Sequence, residues 1–197
     1  MNPLYVVDTE TTGLDGYPYD LVVEIGIAKV DLENGTVLDV MDSVVGYDVD
    51  SWPAYMRSAW IFQNTTLTPE EVGKAPRMNT IVELTRNKLS GKHVTSYNRA
   101  FDFSKFLLHP PWSLKECTIR EPCLMIAADA VKEIPRSCYY EDRLAWPRLE
   151  NAYEYLCPDN PEGIVEQDHR ALSDARMAGW VAIELYRRGL YRMEVPA

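Results

Sequence analysis

The stretch LYVVDTETTGL, residues 4–14, joins an apolar run directly to two acidic residues. Residues 4–8 predict a strand that is buried on both faces. Side chains two positions apart in a strand point to the same face, so Asp8 and Glu10 project together if the strand continues. Two buried carboxylates repel each other, and a divalent cation would relieve that repulsion. Oxygen ligands suit Mg²⁺ or Mn²⁺ better than Zn²⁺. Taken alone, however, the pair is better explained as scattered acids at a solvated strand end.

The segments that follow predict three antiparallel strands and then alternating strands and helices. Residues 21–31 and 36–45 predict the second and third strands, with a hairpin turn at Asn34-Gly35. Thr68, followed by Pro69 and Glu71, predicts the start of a helix. Further strands are predicted at 93–97 and 116–119, and helices at 79–90, 101–108, 123–132, 148–157 and 171–188. This order predicts an α/β or α+β layered fold with a mixed sheet, in a single domain over residues 1–197.

Composition predicts a soluble globular protein, with 46% hydrophobic and 25% charged residues. The sequence has no run of about 18 apolar residues that could span a membrane. Its N-terminus lacks the basic and apolar regions of a signal peptide, so we expect a cytoplasmic location. The four cysteines contain no CxxC pair and are expected to be free thiols: Cys117, Cys123, Cys138 and Cys157.

The distribution of charge bears on nucleic-acid binding. The net charge of −10 argues against broad, nonspecific affinity for a polyanion. Residues 1–73 contain 13 acidic residues against only Lys29 and Arg57, whereas the rest of the chain is nearly balanced. A polyanion would therefore contact the C-terminal two thirds of the chain, or it would bind through cations held by the acidic residues.

Two later segments also place acidic residues beside a strand end or a helix start. Asp102 follows the predicted strand at 93–97 in SYNRAFD, and Asp174 lies in HRALSD at the start of the last helix. The third segment adds His169, whose polar neighbours allow it to titrate near neutral pH. His93 and His109 lie in apolar or proline-rich contexts, and we interpret them as structural.

Together these segments resemble the DEDDh 3′→5′ exonucleases, which include the proofreading subunit of bacterial replicative polymerases and RNase T. The matching motifs are DTETTGL at 8–14, NRAFD at 98–102 and HRALSDA at 169–175, with LTPEEVGKAP at 67–76 between the first two. The resemblance spans residues 4–188. It implies a ribonuclease H-like fold in which a mixed five-stranded sheet, three antiparallel strands and then parallel ones, is flanked by helices.

The resemblance also implies a two-metal hydrolytic site. Asp8, Glu10, Asp102 and Asp174 would hold two divalent cations, Mg²⁺ or Mn²⁺, with Asp8 bridging both. His169 would be the general base that removes a proton from water. The enzyme would release nucleoside 5′-monophosphates from the 3′ end of a strand.

The family further implies substrate contacts, at Thr9, Thr11, Thr12, Gly13, Leu14, Asn98 and Phe101. Leu14 would wedge beside the last base and Phe101 would help wall the pocket, which suits sequence-independent trimming of single strands. Both could instead be plain core residues. Four basic residues beside the second and third motifs are candidates for the upstream backbone or, equally, ordinary solvated helix faces: Arg99, Lys105, Arg170 and Arg176.

One segment departs from the family pattern. Residues 47–66 are acidic and aromatic and lack the usual histidine-glycine; they could shape the pocket near the 3′ end or pack as a lid. Stacking surfaces are available from Trp52, Tyr55, Trp60 and Phe62, although aromatic residues in a loop more often anchor it. Residues 134–147, expected to be a loop, are a second candidate for the substrate rim, with Arg136, Tyr139 and Arg143.

The substrate and the biological context stay open at this point. A stand-alone exonuclease on single-stranded DNA is favoured, with an exoribonuclease or oligoribonuclease as the nearest alternative, because one pocket contact can decide sugar recognition. A proofreading subunit bound to a DNA polymerase is another alternative, and a homodimer is also compatible with the sequence. A catalytically inactive binding module is disfavoured, because all five metal and base positions are filled.

Overall fold

The structure of the protein is a computed structural model. It describes residues 2–140, 143–160 and 169–194, except the side chains of residues 138–140 and 143. Its centre is a five-stranded sheet in the order β3-β2-β1-β4-β5. The strands are β1 (Leu4–Thr11), β2 (Val22–Asp31), β3 (Thr36–Val44), β4 (His93–Thr95) and β5 (Ile119–Arg120).

The pairing of the strands matches the predicted fold class. β1–β2 and β2–β3 are antiparallel, whereas β1–β4 and β4–β5 are parallel. Glu10 of β1 stands directly opposite Glu24 of β2, and the register shifts between Glu10 and Thr11. The mixed sheet of three antiparallel and then parallel strands is therefore confirmed.

Helices cover both faces of this sheet. They are α1 (Ala54–Arg57), α2 (Trp60–Asn64), α3 (Pro69–Lys74), α4 (Met78–Leu89), a π-helix (Ala100–Leu107), α5 (Leu124–Ala128), α6 (Leu149–Leu156) and α7 (Ala171–Arg187). Short 3₁₀ turns occupy Val49–Ser51 and Leu114–Glu116. The predicted start of α3 is confirmed, because the hydroxyl of Thr68 accepts a hydrogen bond from the Glu71 amide at 3.1 Å.

Two apolar cores explain why β1 is apolar at successive positions. Leu4 and Val6 belong to the core shared with α5, α6 and α7, whereas Tyr5 and Val7 belong to the core shared with α4 and the π-helix. Alternate side chains of a strand point to opposite faces, so a strand covered on both sides is apolar at every position. This arrangement leaves the polar C-terminal end of β1 to emerge at one edge of both cores.

The divergent segment, residues 47–66, has helical structure that was not predicted from its sequence. It contains α1 and α2, and its apolar side chains form a third, smaller core against Val23 of β2. Trp52, Met56 and Ile61 are buried there, and Trp52 stacks on Phe62 with ring centroids 6.3 Å apart. Trp52 and Phe62 thus anchor the segment, because each small helix gains its stability from this packing.

Several element boundaries differ from prediction. α5 ends at Ala128 rather than 132, and the following turn is held by Arg136, which donates hydrogen bonds to the carbonyls of Val131 and Ile134. The predicted loop at 134–147 contains a two-stranded antiparallel sheet, β6 (Cys138–Tyr140) and β7 (Arg143–Leu144). Among the described residues, no helix is both long and apolar enough to cross a bilayer.

Candidate active site

The predicted acidic residues converge at the polar end of β1. Asp8 and Glu10 lie on β1, Asp102 lies in the first turn of the π-helix, and Asp174 lies in the first turn of α7. Asp102 and Asp174 are buried, whereas Asp8 and Glu10 are half-buried. The hydroxyl of Thr9 donates a hydrogen bond to Oδ1 of Asp102 at 2.8 Å, which ties β1 to the π-helix.

The carboxylates raise one another's pKa. Burial is the largest cause of the raised pKa of Asp8, followed by the charges of Asp102, Asp174 and Glu10. The pKa of Glu10 is also well above its ordinary value, first through burial and then through Asp174 and Glu24. Burial raises the pKa of Asp102 to about 6, although its hydrogen bonds oppose the shift. Such mutual repulsion is the electrostatic condition under which a cation binds strongly.

His169 joins two of these acids. A nitrogen of His169 and carboxylate oxygens of Glu10 and Asp174 all lie within 4.8 Å of one another. The backbone of His169 has φ of 52°, in the left-handed region that is uncommon for residues other than glycine. Non-glycine residues with such dihedrals cluster at functional sites.

The start of α7 reaches the sheet because Gly26 has no side chain. A Cβ at Gly26 would collide with the backbone of Ala171 and Leu172. The close approach of β2 and α7 therefore depends on this glycine. It brings the segment that carries His169 and Asp174 beside β1.

An ion pair fixes the same junction. Nη2 of Arg170 lies 2.6 Å from Oε1 of Glu24, and Nε of Arg170 lies 2.8 Å from the same oxygen. The other oxygen of Glu24 accepts a hydrogen bond from the Ala171 amide at 3.2 Å. Glu24 is fully buried and stands opposite Glu10, so Arg170 compensates a fifth carboxylate at the edge of the acidic cluster.

A cavity of about 470 Å³ opens beside this cluster. Four parts of the chain line it: the end of β1, the loop after it, the π-helix and α2. The lining residues are Thr9, Glu10, Thr11, Thr12, Gly13, Leu14, Trp60, Ile61 and Phe101. Leu14 is 73% exposed, so it is not a core residue, whereas Phe101 is half-buried against Phe106. Six of the seven predicted substrate contacts line this cavity; Asn98 does not.

The loop that carries Leu14 is held from two sides. Asp20 accepts a hydrogen bond from the Asp15 amide at 2.8 Å, and a Cβ at Gly13 would collide with the Asp20 carboxylate. Nζ of Lys105 donates a hydrogen bond to the carbonyl of Leu14 at 2.5 Å and lies 5.7 Å from the centre of the Phe101 ring. Lys105 therefore links the two apolar walls of the cavity.

Several predicted substrate side chains make intramolecular hydrogen bonds instead of presenting open donors. Thr11 donates to the carbonyl of Gly13 at 2.8 Å, and the hydroxyl of Thr12 accepts from the Leu21 amide at 3.0 Å. Oδ1 of Asn98 accepts from the Phe101 amide at 3.3 Å, at the start of the π-helix. Thr11 and Thr12 line the cavity, whereas Asn98 supports the start of the π-helix that carries Phe101.

The basic residues proposed to contact the upstream backbone all have intramolecular partners. Arg99 donates a hydrogen bond to the carbonyl of Glu121, and Arg176 pairs with Asp39 at 2.7 Å. Arg170 pairs with Glu24, and Lys105 donates a hydrogen bond to the Leu14 carbonyl. The almost fully buried side chain of Arg136 pairs with Asp129, so it is not available as a substrate rim. The side chains of Tyr139 and Arg143 lie outside the described set.

The remaining histidines and cysteines agree with the sequence interpretation. His93 is buried and pairs with Glu121 at 2.5 Å, and His109 stacks on Tyr17. Cys117, Cys123 and Cys157 are free thiols, and the side chain of Cys138 is outside the described set.

Three residues of this site, Glu24, Gly26 and Ile61, were not predicted from the sequence. Gly26 and Glu24 sit inside the apolar strand VVEIGIA, where an acid and a glycine are each unexpected and could have signalled a close approach. Ile61 reaches the cavity from the divergent segment, and no local pattern places it there. Trp60, one of the four aromatic residues named as candidates in that segment, also lines the cavity.

The donor set fits a hard divalent cation. Carboxylate oxygens of Glu10 and Asp174, with Asp8 and Asp102 in electrostatic contact, supply the oxygen ligands that Mg²⁺ or Mn²⁺ prefers. His169 is close enough to ligate an ion as well, so the geometry allows it to act either as a ligand or as a base.

Several nucleases are among the solved structures that are similar to this chain. A 3′-exonuclease studied for 3′-end specific recognition of histone mRNA stem-loop superimposes with a TM-score of 0.64 at 16% identity, over 98% of this chain and 85% of the other. The nuclease domain of 3′hExo, a DEDDh family member bound to rAMP, gives 0.64 at 13% identity, over 100% and 98%. Exonuclease I of E. coli with a dA16 oligonucleotide gives 0.65 at 19% identity, over 95% of this chain and 41% of the other.

The fold is thus that of the ribonuclease H-like exonucleases. The family model RNase_T, described as an exonuclease, matches residues 5–181, and the chain belongs to this exonuclease family. The resemblance and the enzyme class predicted from the sequence, a DEDDh-type 3′→5′ exonuclease, are confirmed at the level of the family. A search of curated protein sequences finds no significant match.

Proposed function

We propose that this protein is a metal-dependent 3′→5′ exonuclease that removes nucleoside 5′-monophosphates from the 3′ end of single-stranded DNA. The observation that carries the proposal is the position of Glu10, His169 and Asp174, whose ligand atoms lie within 4.8 Å of one another at one side of the 470 Å³ cavity. The cavity is of a size suited to one nucleotide. Residues 1–197 would act as a single exonuclease domain.

The acidic cluster would serve the reaction by holding two divalent cations. The proposed ligands are Asp8, Glu10, Asp102 and Asp174. Each of these carboxylates lies close enough to another one for their negative charges to repel. Bound cations would lower the pKa of the attacking water and offset charge on the phosphate. The acidic cluster and its bound cations would also explain how a protein with a net negative charge binds a nucleic acid.

The other residues of the site would position the terminal nucleotide and accept the proton of the attacking water. Leu14 and Phe101 face the cavity as apolar walls, and Lys105 sets their spacing through the Leu14 carbonyl. An imidazole nitrogen of His169 would take the proton of the attacking water as its oxygen bonds to phosphorus. The bond from phosphorus to the 3′ oxygen breaks, and solvent supplies the proton that completes the new 3′-hydroxyl.

RNA is the second candidate substrate. Among the structural neighbours, one 3′-exonuclease recognises a histone mRNA stem-loop and the nuclease domain of 3′hExo binds rAMP, whereas exonuclease I binds a DNA oligonucleotide. Discrimination would depend on what surrounds the 2′ position in the bound nucleotide.

A time course on end-labelled oligonucleotides tests the proposal. Single- and double-stranded DNA and RNA of one sequence are labelled at either the 5′ or the 3′ end and incubated with Mg²⁺ or Mn²⁺. We expect a descending ladder from 5′-labelled single strands and early release of a labelled mononucleotide from 3′-labelled ones. Mid-chain cuts, or release beginning at the 5′ end, would contradict the proposed polarity. The cytoplasmic location, a polymerase partner and a homodimer stay predictions from the sequence.

A further inference from the structure

We propose that Asp20 is a positioning residue for the terminal nucleotide, and that it acts through Leu14 without contacting the substrate itself. Asp20 lies in the connection between β1 and β2, residues 12–21, which also carries Leu14. Its carboxylate is buried, takes no part in the proposed hydrolysis, and is not among the described groups that line the cavity. The inference rests on the proposed exonuclease function and gives this buried acid a role in it.

The first support is that the Asp20 carboxylate closes the connection from the inside. One of its oxygens accepts a hydrogen bond from the Asp15 amide at 2.8 Å, and the other accepts one from the hydroxyl of Thr12 at 3.4 Å. Thr12 precedes Leu14 in the sequence and Asp15 follows it. Asp20 therefore holds the chain on both sides of Leu14, and these donors satisfy a carboxylate that would otherwise be buried without partners.

The second support is the close packing of the connection around this carboxylate. A Cβ at Gly13 would collide with the Asp20 carboxylate, so the backbone next to Leu14 lies directly against it. The carbonyl of Gly16 accepts hydrogen bonds from the amides of Tyr19 and Asp20, at 2.8 and 2.9 Å. Leu14 is nevertheless 73% exposed. A fixed backbone that holds an apolar side chain in water beside a cavity is typical of a binding surface.

The two anchors of Leu14 come from opposite directions. Asp20 holds the connection from the side of β2, and Lys105 holds the Leu14 carbonyl from the π-helix. A side chain that contacts a reacting substrate must be held to a fraction of an ångström, because the rate falls steeply when the substrate is misplaced. The Asp20 carboxylate thus controls how the terminal nucleotide lies over the acidic cluster.

The test is a double-mutant cycle of Asp20→Ala with Leu14→Ala. The quantity measured is kcat/KM for a 5′-labelled single-stranded octamer, DNA or RNA according to which polymer the wild type trims. Asp31→Ala is the matched control, because Asp31 accepts hydrogen bonds from the amides of Glu33 and Asn34 and so closes the turn at the other end of β2. Circular dichroism and thermal melting check that each variant is folded.

We expect Asp20→Ala and Leu14→Ala each to lower kcat/KM by about 10- to 100-fold, because a misplaced substrate reacts slowly. The double variant should be no more than about twofold slower than Leu14→Ala, since Asp20 then has nothing left to position. Asp20→Asn keeps the shape of the side chain and one acceptor oxygen, so it should recover most of the loss. Asp31→Ala should have the kinetics of the wild type.

A second variant covers the case in which Asp20→Ala does not fold. Asp20→Ser has a side chain that is one bond shorter than that of aspartate, so it cannot make both hydrogen bonds in their present geometry. It replaces Asp20→Ala in the same cycle, with the same expected dependence on Leu14.

Three results would overturn the inference. The first is a kcat/KM for Asp20→Ala within about twofold of the wild type, and the second is the same result for Leu14→Ala. The third is a double variant whose loss is the product of the two single losses, which would mean that Asp20 does not act through Leu14. A wild-type protein that trims neither DNA nor RNA would refute the proposed function itself, and this outcome is distinct because it involves no variant.

Discussion

Arg170 pairs with Glu24 through three hydrogen bonds, of 2.6, 2.8 and 3.1 Å, across the junction between β2 and the start of α7. Glu24 is fully buried, and Arg170 is the residue that follows His169. One ion pair therefore compensates a buried charge and fixes the segment that carries the proposed base. Because Glu24 stands opposite Glu10, the pair also limits the negative charge of the acidic cluster.

We predict that Arg170→Met destabilises the protein by about 3 kcal/mol, because it leaves Glu24 buried without its cationic partner. The double variant Glu24→Gln, Arg170→Met should recover a large part of that loss, as measured by urea unfolding. Arg176→Met is the control: its pair with Asp39 is partly exposed, and we expect a loss of no more than about 1 kcal/mol. Equal losses in Arg170→Met and Arg176→Met would contradict this account.

Replacement of Gly26 tests the close approach of β2 and α7. Gly26→Ala places a Cβ against the backbone of Ala171 and Leu172, so the helix start must move. We expect a loss of about 2–4 kcal/mol in unfolding free energy, with a drop in nuclease activity, because overpacking forces backbone shifts. Gly73→Ala is the matched control in α3, where only Val49 lies within 4 Å of the new Cβ. That control should be neutral or slightly stabilising; a Gly26→Ala variant as stable and active as the wild type would refute the dependence on glycine.

The raised pKa of Asp102 predicts how metal-free stability depends on pH. Folding favours the protonated form, so this group's stabilising contribution is present below its ordinary pKa of 3.8 and is lost as pH rises through about 6. In EDTA, Asp102→Asn should therefore raise Tm by about 3–8 °C at pH 8 and much less at pH 4.5. Mg²⁺ should raise the Tm of the wild type at pH 8 more than that of the variant. A variant with a lower Tm than the wild type at pH 8 would show that burial of this charge is not unfavourable.

His169→Ala separates the two chemical roles that the geometry allows. If His169 is the general base, kcat should fall by about 10²–10⁴-fold while Mn²⁺ affinity, measured by calorimetry, changes little. His169→Gln is a useful companion, since its amide can occupy similar space without acting as a base at neutral pH. A loss of activity that is restored by a higher Mn²⁺ concentration would identify His169 as a ligand instead.

Much of the fold was predictable because local patterns and the pairing of strands agree. The apolar run at 4–8, the Asn34-Gly35 turn and the Thr68 cap each lead to the element found in the structure. The short helices α1 and α2 were not predicted, because their stability comes from packing around Trp52 rather than from helical periodicity. The small sheet of β6 and β7 lies between Pro135 and Pro147, which favour a loop.

The acids and the histidine of the site were expected from the three motifs that resemble the DEDDh exonucleases, whereas their supporting contacts were not. The position of Glu24 opposite Glu10 depends on strand register, and a one-residue slip would have turned it to the other face. Lys105 could be a phosphate contact by sequence alone; only the fold brings its ammonium to the Leu14 carbonyl. Trp60 likewise reaches the cavity through the packing of a segment distant in sequence.

The most direct test of the central claim is trimming of a 5′-labelled single-stranded oligonucleotide by wild type and Asp174→Asn, with Mg²⁺ or with excess EDTA. We expect a ladder of shortened strands for the wild type with Mg²⁺, and a rate at least about 10³-fold lower for Asp174→Asn, because Asp174 lies within the proposed ligand set. EDTA should abolish trimming by the wild type. Persistent trimming in EDTA, or an Asp174→Asn variant as active as the wild type, would contradict a metal-dependent exonuclease site at the end of β1.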